Sequence, residues 1–203
     1  MDQIPSLLLK RCVVEFSKLP GIGKKTALRL AIHLLKQKPD YALSLGDAII
    51  DMRKNISFCK KCHNISESDV CEICNGIKRN QNQICVVENI QDVLSVENTM
   101  QYNGTYHILN GVISPMDGIS PSDLNIQSLI DRVSQDSIDE IILALPTTIE
   151  GDTTNFYLYK KLSSTVDSIT SIARGVSVGD ELEYIDELTL GRSIVNRIPY
   201  SGK

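Results

Sequence analysis

Four cysteines in two closely spaced pairs constrain this sequence more than any other feature. Cys59 and Cys62 form one Cys-x2-Cys pair, and Cys71 and Cys74 form a second pair farther along the chain. Each pair offers two thiolates from one tight turn, and two pairs complete the tetrahedral coordination that zinc prefers. Since all four ligands would come from the protein, we expect one structural Zn²⁺ per chain rather than a catalytic metal with an open position.

The segment that carries these cysteines, residues 58–83, is rich in polar residues and shows almost no apolar periodicity. Such a segment cannot bury a core of its own, so the metal would supply the folding energy that it lacks. His63 stands beside a cysteine but is not needed as a ligand, and we expect it near the metal site or facing solvent. Cys12 and Cys85 lie in apolar patterns and are expected to be core thiols.

The chain before this segment has helical periodicity. Apolar residues at helical spacing predict helices over 6–17 and about 24–37, and a third helix that begins near Pro39. After the cysteines the pattern becomes α/β, with apolar runs that predict buried strands and helices between them. The predicted strands are 84–87, 106–109, 140–145 and 168–173; the predicted helices are 91–100, 125–133 and 153–162, with a short one after Glu187. Strands that alternate with helices favour a mostly parallel sheet.

A glycine-containing turn, Leu19 to Gly23, separates the first two predicted helices. Gly21 and Gly23 allow a close backbone approach to a ligand, and the following helix begins with exposed amides, which suit a phosphate. Lys25 and Arg29 are four residues apart and share one helix face, and Lys24 adds charge at the same end. This arrangement resembles the helix-hairpin-helix motif, which holds the DNA backbone without reading bases. The alternative is a plain helical corner with solvated lysines.

Acidic residues follow two of the predicted strands. Glu88 follows the strand 84–87, and Glu150 and Asp152 follow the strand 140–145 across the loop 146–149. The carboxyl ends of neighbouring parallel strands meet at one edge of a sheet, so these acids could share a crevice and hold a Mg²⁺ ion. This is the layout of the Toprim domain of topoisomerases, primases and some nucleases. The alternative is a set of solvated acids on loops.

Bulk composition limits the function classes. The chain has 203 residues and a formal net charge of −4, so any DNA binding must come from a local patch. No apolar run approaches the roughly 18 residues that a membrane span needs, and no signal peptide is recognisable, so we expect a cytoplasmic protein without a membrane partner. No Gly-x4-Gly-Lys-Ser/Thr string is present, so ATP hydrolysis is not expected.

The order of these parts resembles the RecR family of bacterial recombination mediators, and the resemblance runs nearly from end to end. Several strings carry it. They are Leu19 to Gly23, Ile84 to Glu88, Ser114 to Ile119, Thr148 to Gly151, Ile172 to Val176 and Leu188 to Arg192. This sequence departs from the usual family pattern at Lys24, where proline is common, in the segment Pro146 to Thr148, and at Asp152, where glutamate is common. The last two changes affect the geometry expected of the acidic crevice.

The resemblance implies a non-catalytic mediator of DNA repair that acts with RecO and RecF to load RecA on gapped single-stranded DNA. It implies non-sequence-specific binding to single-stranded, double-stranded and gapped DNA, and a homo-oligomeric ring, a tetramer, that encircles DNA. Lys25 and Arg29 match the DNA-contacting positions of the family, and the four cysteines match its zinc ligands. The acidic crevice would meet RecO, and any Mg²⁺ there is not expected to be catalytic.

The predicted fold is therefore a multi-part α+β arrangement. It comprises a helix-hairpin-helix region (1–57), a zinc-binding segment (58–83), a Toprim domain with a mostly parallel sheet (84–180) and a C-terminal oligomerisation segment (181–203). Two other functions remain open from the residues alone. One is a Toprim nuclease that uses Glu88, Glu150 and Asp152 with magnesium, and the other is a zinc-dependent protein-interaction module that does not bind DNA.

Overall fold

The structure is a computed structural model that describes Ile4 and residues 6–200. It divides into an N-terminal unit that ends at Ile56 and a C-terminal unit that begins at Ser57. Among the described residues, no helix is both long enough and apolar enough to cross a membrane.

The N-terminal unit contains the helices α1 (Leu7–Phe16), α2 (Lys24–Lys36) and α3 (Pro39–Asn55). Buried Val13 of α1 packs against Ala27 and Ala31 of α2, whose small side chains let the two helices approach closely. Pro39 begins α3, where a missing N–H costs nothing. The helices predicted at 6–17 and 24–37 are confirmed, with ends that differ by at most one residue.

The C-terminal unit begins with the zinc segment, which we define as residues 57–79. Strands β1 (Ser57–Phe58) and β2 (Ile65–Ser66) pair antiparallel, and a one-turn helix, α4 (Glu72–Asn75), follows them. The buried cluster centred on this segment consists of the four cysteines, with partly buried Ile73 packed against them. The prediction that the segment has no core of its own is thus consistent with its packing.

A four-stranded sheet forms the body of the C-terminal unit. Its strands are β3 (Asn80–Val87), β4 (Gly104–Ile108), β5 (Glu140–Ala144) and β6 (Ser168–Ser171), in the spatial order β4-β3-β5-β6. Every pair in this sheet is parallel. The connections carry α5 (Ile90–Asn98), α6 (Ile126–Gln135) and α7 (Ile149–Leu162), and α8 (Glu187–Val195) follows the last strand. The prediction of an α/β domain with a mostly parallel sheet is confirmed.

Alternation along β3 divides the core between the two faces of the sheet. Ile84 and Val86 point to the side where α6 and α7 pack, and they share a cluster with Leu129 and Leu158. Cys85 points to the other face of the sheet, where it shares a second cluster with Val93 of α5 and Tyr106 of β4. A central parallel strand is buried on both faces, which explains why Ile84 to Val87 are apolar without a gap. Cys85 is a buried core thiol, as predicted.

Two elements begin four residues earlier than the sequence pattern predicts. Strand β3 begins at Asn80 rather than Ile84, because polar residues there still pair with β4 across an irregularity in the register. Helix α7 begins at Ile149 rather than Thr153, because the Thr148 hydroxyl caps it by accepting a hydrogen bond from Gly151 N (3.1 Å). Glu150 and Asp152 therefore lie on the first helical turn and not in a loop.

Gly151 allows α7 to begin against the end of β5. It is buried, and a Cβ at this position would overlap the carbonyl oxygen of Pro146. We expect Gly151→Ala to lower the free energy of unfolding by about 1–3 kcal/mol, because the backbone must shift to relieve the overlap. Urea denaturation measures this change.

Gly191→Ala is the matched control, since Gly191 is also helical. Apart from its chain neighbours and its own helix backbone, no atom of the described residues lies within 4 Å of a Cβ built there. It should leave stability unchanged or raise it by about 0.5–1 kcal/mol, because alanine is the better helix former. Equal effects of the two substitutions on stability would show that the contact with Pro146 does not require glycine at position 151.

Candidate zinc centre and nucleic-acid interface

The four cysteines predicted as zinc ligands lie together in the structure. Their sulfur atoms are all within 4.8 Å of one another, and all four residues are buried. The sulfurs of Cys62 and Cys71 are 3.5 Å apart. A tetrahedron with zinc–sulfur bonds of about 2.3 Å has sulfur–sulfur edges of about 3.8 Å, so this group of thiols has the size that zinc requires.

Local hydrogen bonds shape both cysteine turns. His63 N donates to Cys59 O (2.9 Å) and closes the first turn. In the second turn, Cys71 caps α4, and its sulfur accepts a hydrogen bond from Cys74 N (3.5 Å). Cys71 N in turn donates to the sulfur of Cys59 (3.3 Å) and joins the two turns. Backbone N–H donors stabilise thiolate sulfur, so the peptide is arranged for charged ligands.

The crowded sulfurs perturb one another's ionisation. The pKa of Cys71 is lowered because neighbouring thiols of Cys62 and Cys74 donate hydrogen bonds to its sulfur. The pKa of Cys62 is raised, chiefly by its hydrogen bonds to Cys71 and Cys74 and then by burial. Four thiolates cannot share so small a volume without a cation, and a divalent metal supplies the charge that lets them all ionise.

His63 is directed away from the sulfurs, towards α6. Its backbone is left-handed (φ 64°), which is uncommon for a residue other than glycine. Its Nε2 lies 2.8 Å from the hydroxyl of Ser128, and its ring meets that of buried His107 edge to face at 5.2 Å. Burial lowers the pKa of His63. The side chain therefore ties the zinc segment to α6, a contact between residues far apart in sequence.

The zinc segment also covers one edge of the sheet. Strand β4 is an edge strand, and Ile108 N donates to Cys62 O (3.0 Å), so a metal ligand provides the hydrogen bond that a neighbouring strand would otherwise make. An ion pair between Lys61 and Asp136 (3.0 Å) adds a second contact. Exposed strand edges invite unwanted pairing, and the zinc segment protects this one.

The glycine turn and α2 form the predicted phosphate site. Gly21 has a positive φ of 76°, which only glycine adopts freely, and Gly23 is the N-cap residue of α2. No side chain among the described residues caps this helix, and its first turn has no acidic residue, so its amides and the positive end of its dipole are open to an anion. Lys24, Lys25 and Arg29 are exposed.

A shallow depression of about 400 Å³ runs along the basic face of α2. Its lining residues are Lys25, Leu28, Arg29, Ile32, His33 and Lys36. His33 and Lys36 were not predicted as part of this surface, although their spacing of four and seven residues from Arg29 places all three on one face. The basic surface is therefore about three turns long rather than one.

The three acidic residues lie at one edge of the sheet but do not form a ligand cluster. Within the ranges that the structure describes, the four cysteines are the single group of three or more Cys, His, Asp or Glu side chains close enough to hold a metal. Asp152 instead pairs with Arg174 (2.5 Å), which lowers the pKa of Asp152. Burial and nearby Asp92 raise the pKa of Glu88. The structure thus brings the acids to a common edge and gives one of them a cationic partner.

A helical hairpin, a four-cysteine zinc site and a parallel Toprim-like sheet in one chain define a class of zinc-containing recombination proteins. Four family models match the chain in this order. They describe the RecR helix-hairpin-helix at 9–53, the RecR zinc finger domain with four cysteines at 56–75, the Toprim domain at 82–173 and the RecR C-terminal region at 175–198.

Proteins named "Recombination protein RecR" resemble the chain over nearly its full length. The protein from Bacteroides thetaiotaomicron is 58% identical over 201 residues, which cover 99% of this chain and 98% of the relative. The Porphyromonas gingivalis protein is 55% identical (99% and 97% covered), and that of Flavobacterium johnsoniae is 55% identical (98% and 96% covered). The chain belongs to the RecR family of recombination proteins, and Zn²⁺ is the metal of its four-cysteine site.

We expect Cys71→Ser to reduce zinc content from one ion per chain towards zero and to lower solubility with it. Cys71 is a predicted ligand, and it also caps α4 and accepts from Cys74 N, so its loss affects both the metal and the turn. Elemental analysis of protein purified without chelators measures the zinc.

Cys12→Ser is the matched control, because Cys12 packs between α1 and α2 and lies in the other unit. It should retain one zinc per chain. A wild-type protein without zinc, or a Cys71→Ser variant with its full zinc content, would contradict the assignment.

Proposed function

We propose that this chain is a non-catalytic, DNA-binding mediator of recombinational repair. In this proposal it acts with RecO and RecF to load RecA on gapped single-stranded DNA. Membership of the RecR family and the recombination names of the relatives support this role. The names of those relatives describe a recombination protein and no catalytic activity.

The observation that carries the proposal is the basic face of α2 beside an uncapped helix N-terminus. Lys25 and Arg29 are exposed, and among the ion pairs of the described residues neither of them takes part. Their charges are therefore available to a phosphate backbone. Contacts of this kind position a protein on DNA without reading bases, so we propose binding to single-stranded, double-stranded and gapped DNA.

The double change Lys25→Ala and Arg29→Ala should weaken DNA binding equally for unrelated sequences. The salt dependence should flatten by roughly one unit for each lost phosphate contact. Thermal stability should change little, because exposed helix positions usually matter by under about 0.5 kcal/mol. Fluorescence anisotropy over a range of salt concentrations measures affinity and slope together.

The matched control is Arg53→Ala with Lys54→Ala, which removes the same charge from exposed positions of α3 in the same unit. It should leave the salt slope nearly unchanged. If both double variants bind as the wild type does, α2 is not the DNA-binding surface. If both weaken binding equally, only the net charge of the unit matters.

We also propose that the chain forms a homo-oligomer, a ring-shaped tetramer. Helix α3 supports this, since none of its 17 residues is buried while Leu45, Ile49 and Met52 are exposed on it. The C-terminal segment 181–203, proposed as an oligomerisation segment, likewise exposes Leu188 and Ile194. Apolar side chains that are exposed together on a helix are typical of interfaces, and we propose that a second copy of the chain covers them. The number of chains can be measured by light scattering.

The acidic edge of the sheet is proposed as the surface that meets RecO. Glu88 follows β3, and Glu150 and Asp152 lie on the first turn of α7 after β5, so all three are at the carboxyl end of the strands. The Toprim match favours a second candidate, a magnesium-dependent nuclease that uses the same acids. Against cleavage stands the ion pair of Asp152 with Arg174, which occupies one of the three carboxylates.

Changing Glu150 and Asp152 together to alanine should weaken RecO association at least about fivefold, roughly 1 kcal/mol, and leave binding to DNA alone intact. Asp131→Ala with Asp139→Ala is the matched control, because it removes two exposed carboxylates away from the carboxyl ends of the strands. Surface plasmon resonance with immobilised RecO measures the difference. Magnesium-dependent cleavage of gapped DNA by the wild type that disappears in the first variant would favour the nuclease.

A further inference from the structure

Two of the strings that carry the family resemblance, Ile172 to Val176 and Leu188 to Arg192, are given no ligand in the function proposed above. The structure brings them together at one pocket of about 230 Å³. Its lining residues are Thr147, Ala173, Arg174, Gly175, Thr189 and Arg192. They come from the loop after β5, the loop after β6 and α8, so three separate parts of the C-terminal unit converge there.

Hydrogen-bond donors dominate the polar lining of this pocket. Arg174 uses one nitrogen to hold Asp152, and the guanidinium group has five N–H donors in all, so several remain. In the part of the chain that the structure describes, the side chain of Arg192 forms no hydrogen bond or ion pair with another residue. The hydroxyl groups of Thr147 and Thr189 are also without a protein partner there. A site with many donors and few acceptors suits an anion.

Two arginines line the pocket, and the two acidic side chains nearest to it already have partners within the fold. Asp152 offsets the charge of Arg174. The pKa of Asp152 is lowered chiefly by its hydrogen bond from Arg174, and the positive charge of Arg192 lowers it further. Asp186, whose carboxylate caps α8 through Thr189 N (2.9 Å), is committed to the helix terminus. Among the described residues, Arg192 therefore provides a charge that no acidic side chain pairs with, and Asp152 holds Arg174 in a defined orientation beside it.

We propose that this pocket binds a phosphate group, held by Arg174 and Arg192 with the hydroxyls of Thr147 and Thr189. Guanidinium groups bind phosphate through paired N–H donors, and the volume is sufficient for one tetrahedral oxyanion. The phosphate has two sources, a free anion or the backbone of DNA. The site is separate from the basic face of α2 and lies in the other unit. It therefore does not depend on the DNA site proposed there.

Arg192→Gln is the test variant, since Arg192 is exposed and its replacement leaves the Asp152–Arg174 pair in place. Arg197→Gln is the matched control, because it removes the same charge from the same C-terminal segment, and the hydrogen bond of Arg197 is to the carbonyl of Ile194. Light scattering first establishes that both variants assemble as the wild type does. If Arg192→Gln alone alters the assembly, Thr147→Ala, which lies outside that segment, replaces it.

The first measurement is a titration with inorganic phosphate followed by ¹H–¹⁵N NMR, with chloride of equal ionic strength as the reference. Saturable shifts at Gly175 and Thr189 are expected in the wild type and in Arg197→Gln, and their loss is expected in Arg192→Gln. The second measurement is the salt dependence of binding to an unphosphorylated single-stranded oligonucleotide. If the phosphate comes from DNA, Arg192→Gln reduces the slope by about one unit.

Saturable phosphate shifts with an unchanged DNA slope assign the pocket to a free anion. A reduced slope in Arg192→Gln but not in Arg197→Gln assigns it to the DNA backbone. Shifts that chloride reproduces, together with an unchanged slope, overturn the proposal. Lys25 and Arg29 are unchanged in every variant of this experiment, so a negative result here does not contradict the proposed DNA site on α2. If that DNA site is disproved instead, the phosphate titration still tests the pocket.

Discussion

The four cysteine sulfurs hold together a segment that has no apolar core to do so. Their joint coordination of zinc restrains two turns, and the first of these carries the carbonyl of Cys62, which accepts from Ile108 on the edge of the sheet. The next residue, His63, continues into a left-handed conformation that aims its ring at Ser128 on α6. Metal, sheet edge and helix are thus joined by one run of contacts. Because the carbonyl of Cys62 and the ring of His63 both depend on the backbone of the first turn, we expect loss of the metal to weaken both contacts.

Basic and acidic side chains are concentrated on different elements of the chain, although the net charge is small. The net charge is −4, yet α2 presents Lys25, Arg29 and Lys36 along a single face. The carboxyl ends of β3 and β5 present acids instead. A local basic face is sufficient to attract phosphate, because the field near a surface is dominated by the nearest charges within a Debye length of about 10 Å. A net acidic protein can therefore be a DNA-binding protein.

The early start of α7 changes the character of the acidic edge. Because Thr148 caps the helix and Gly151 allows it to approach Pro146, Asp152 is on the first turn and reaches Arg174. Glu88 differs, since its raised pKa reflects burial and a neighbouring acid. The edge is therefore a mixed surface, acidic at Glu88 and paired at Asp152. The ion pair between Asp152 and Arg174 therefore lies where the acidic edge meets the pocket lined by Arg174 and Arg192.

Most features that depend on local spacing were predictable from the sequence. The two cysteine pairs predicted zinc because thiolates from two tight turns complete a tetrahedron, and apolar periodicity predicted α1 and α2. The unbroken apolar run Ile84 to Val87 predicted a buried strand, because a central parallel strand is covered on both faces. The start of β3 at Asn80 was not predictable in this way, since its polar residues join the sheet only through hydrogen bonds to a neighbouring strand.

What the sequence by itself determined was the set of parts and their chemistry: a helical hairpin with a basic face, a four-thiol metal site and an α/β sheet with acids after its strands. What only the tertiary structure decided was which distant side chains meet. The pairs His63–Ser128 and Asp152–Arg174, and the approach of Arg174 to Arg192, join residues that no local pattern relates. Periodicity reports which face of an element is buried, whereas such contacts depend on how separate elements pack against one another.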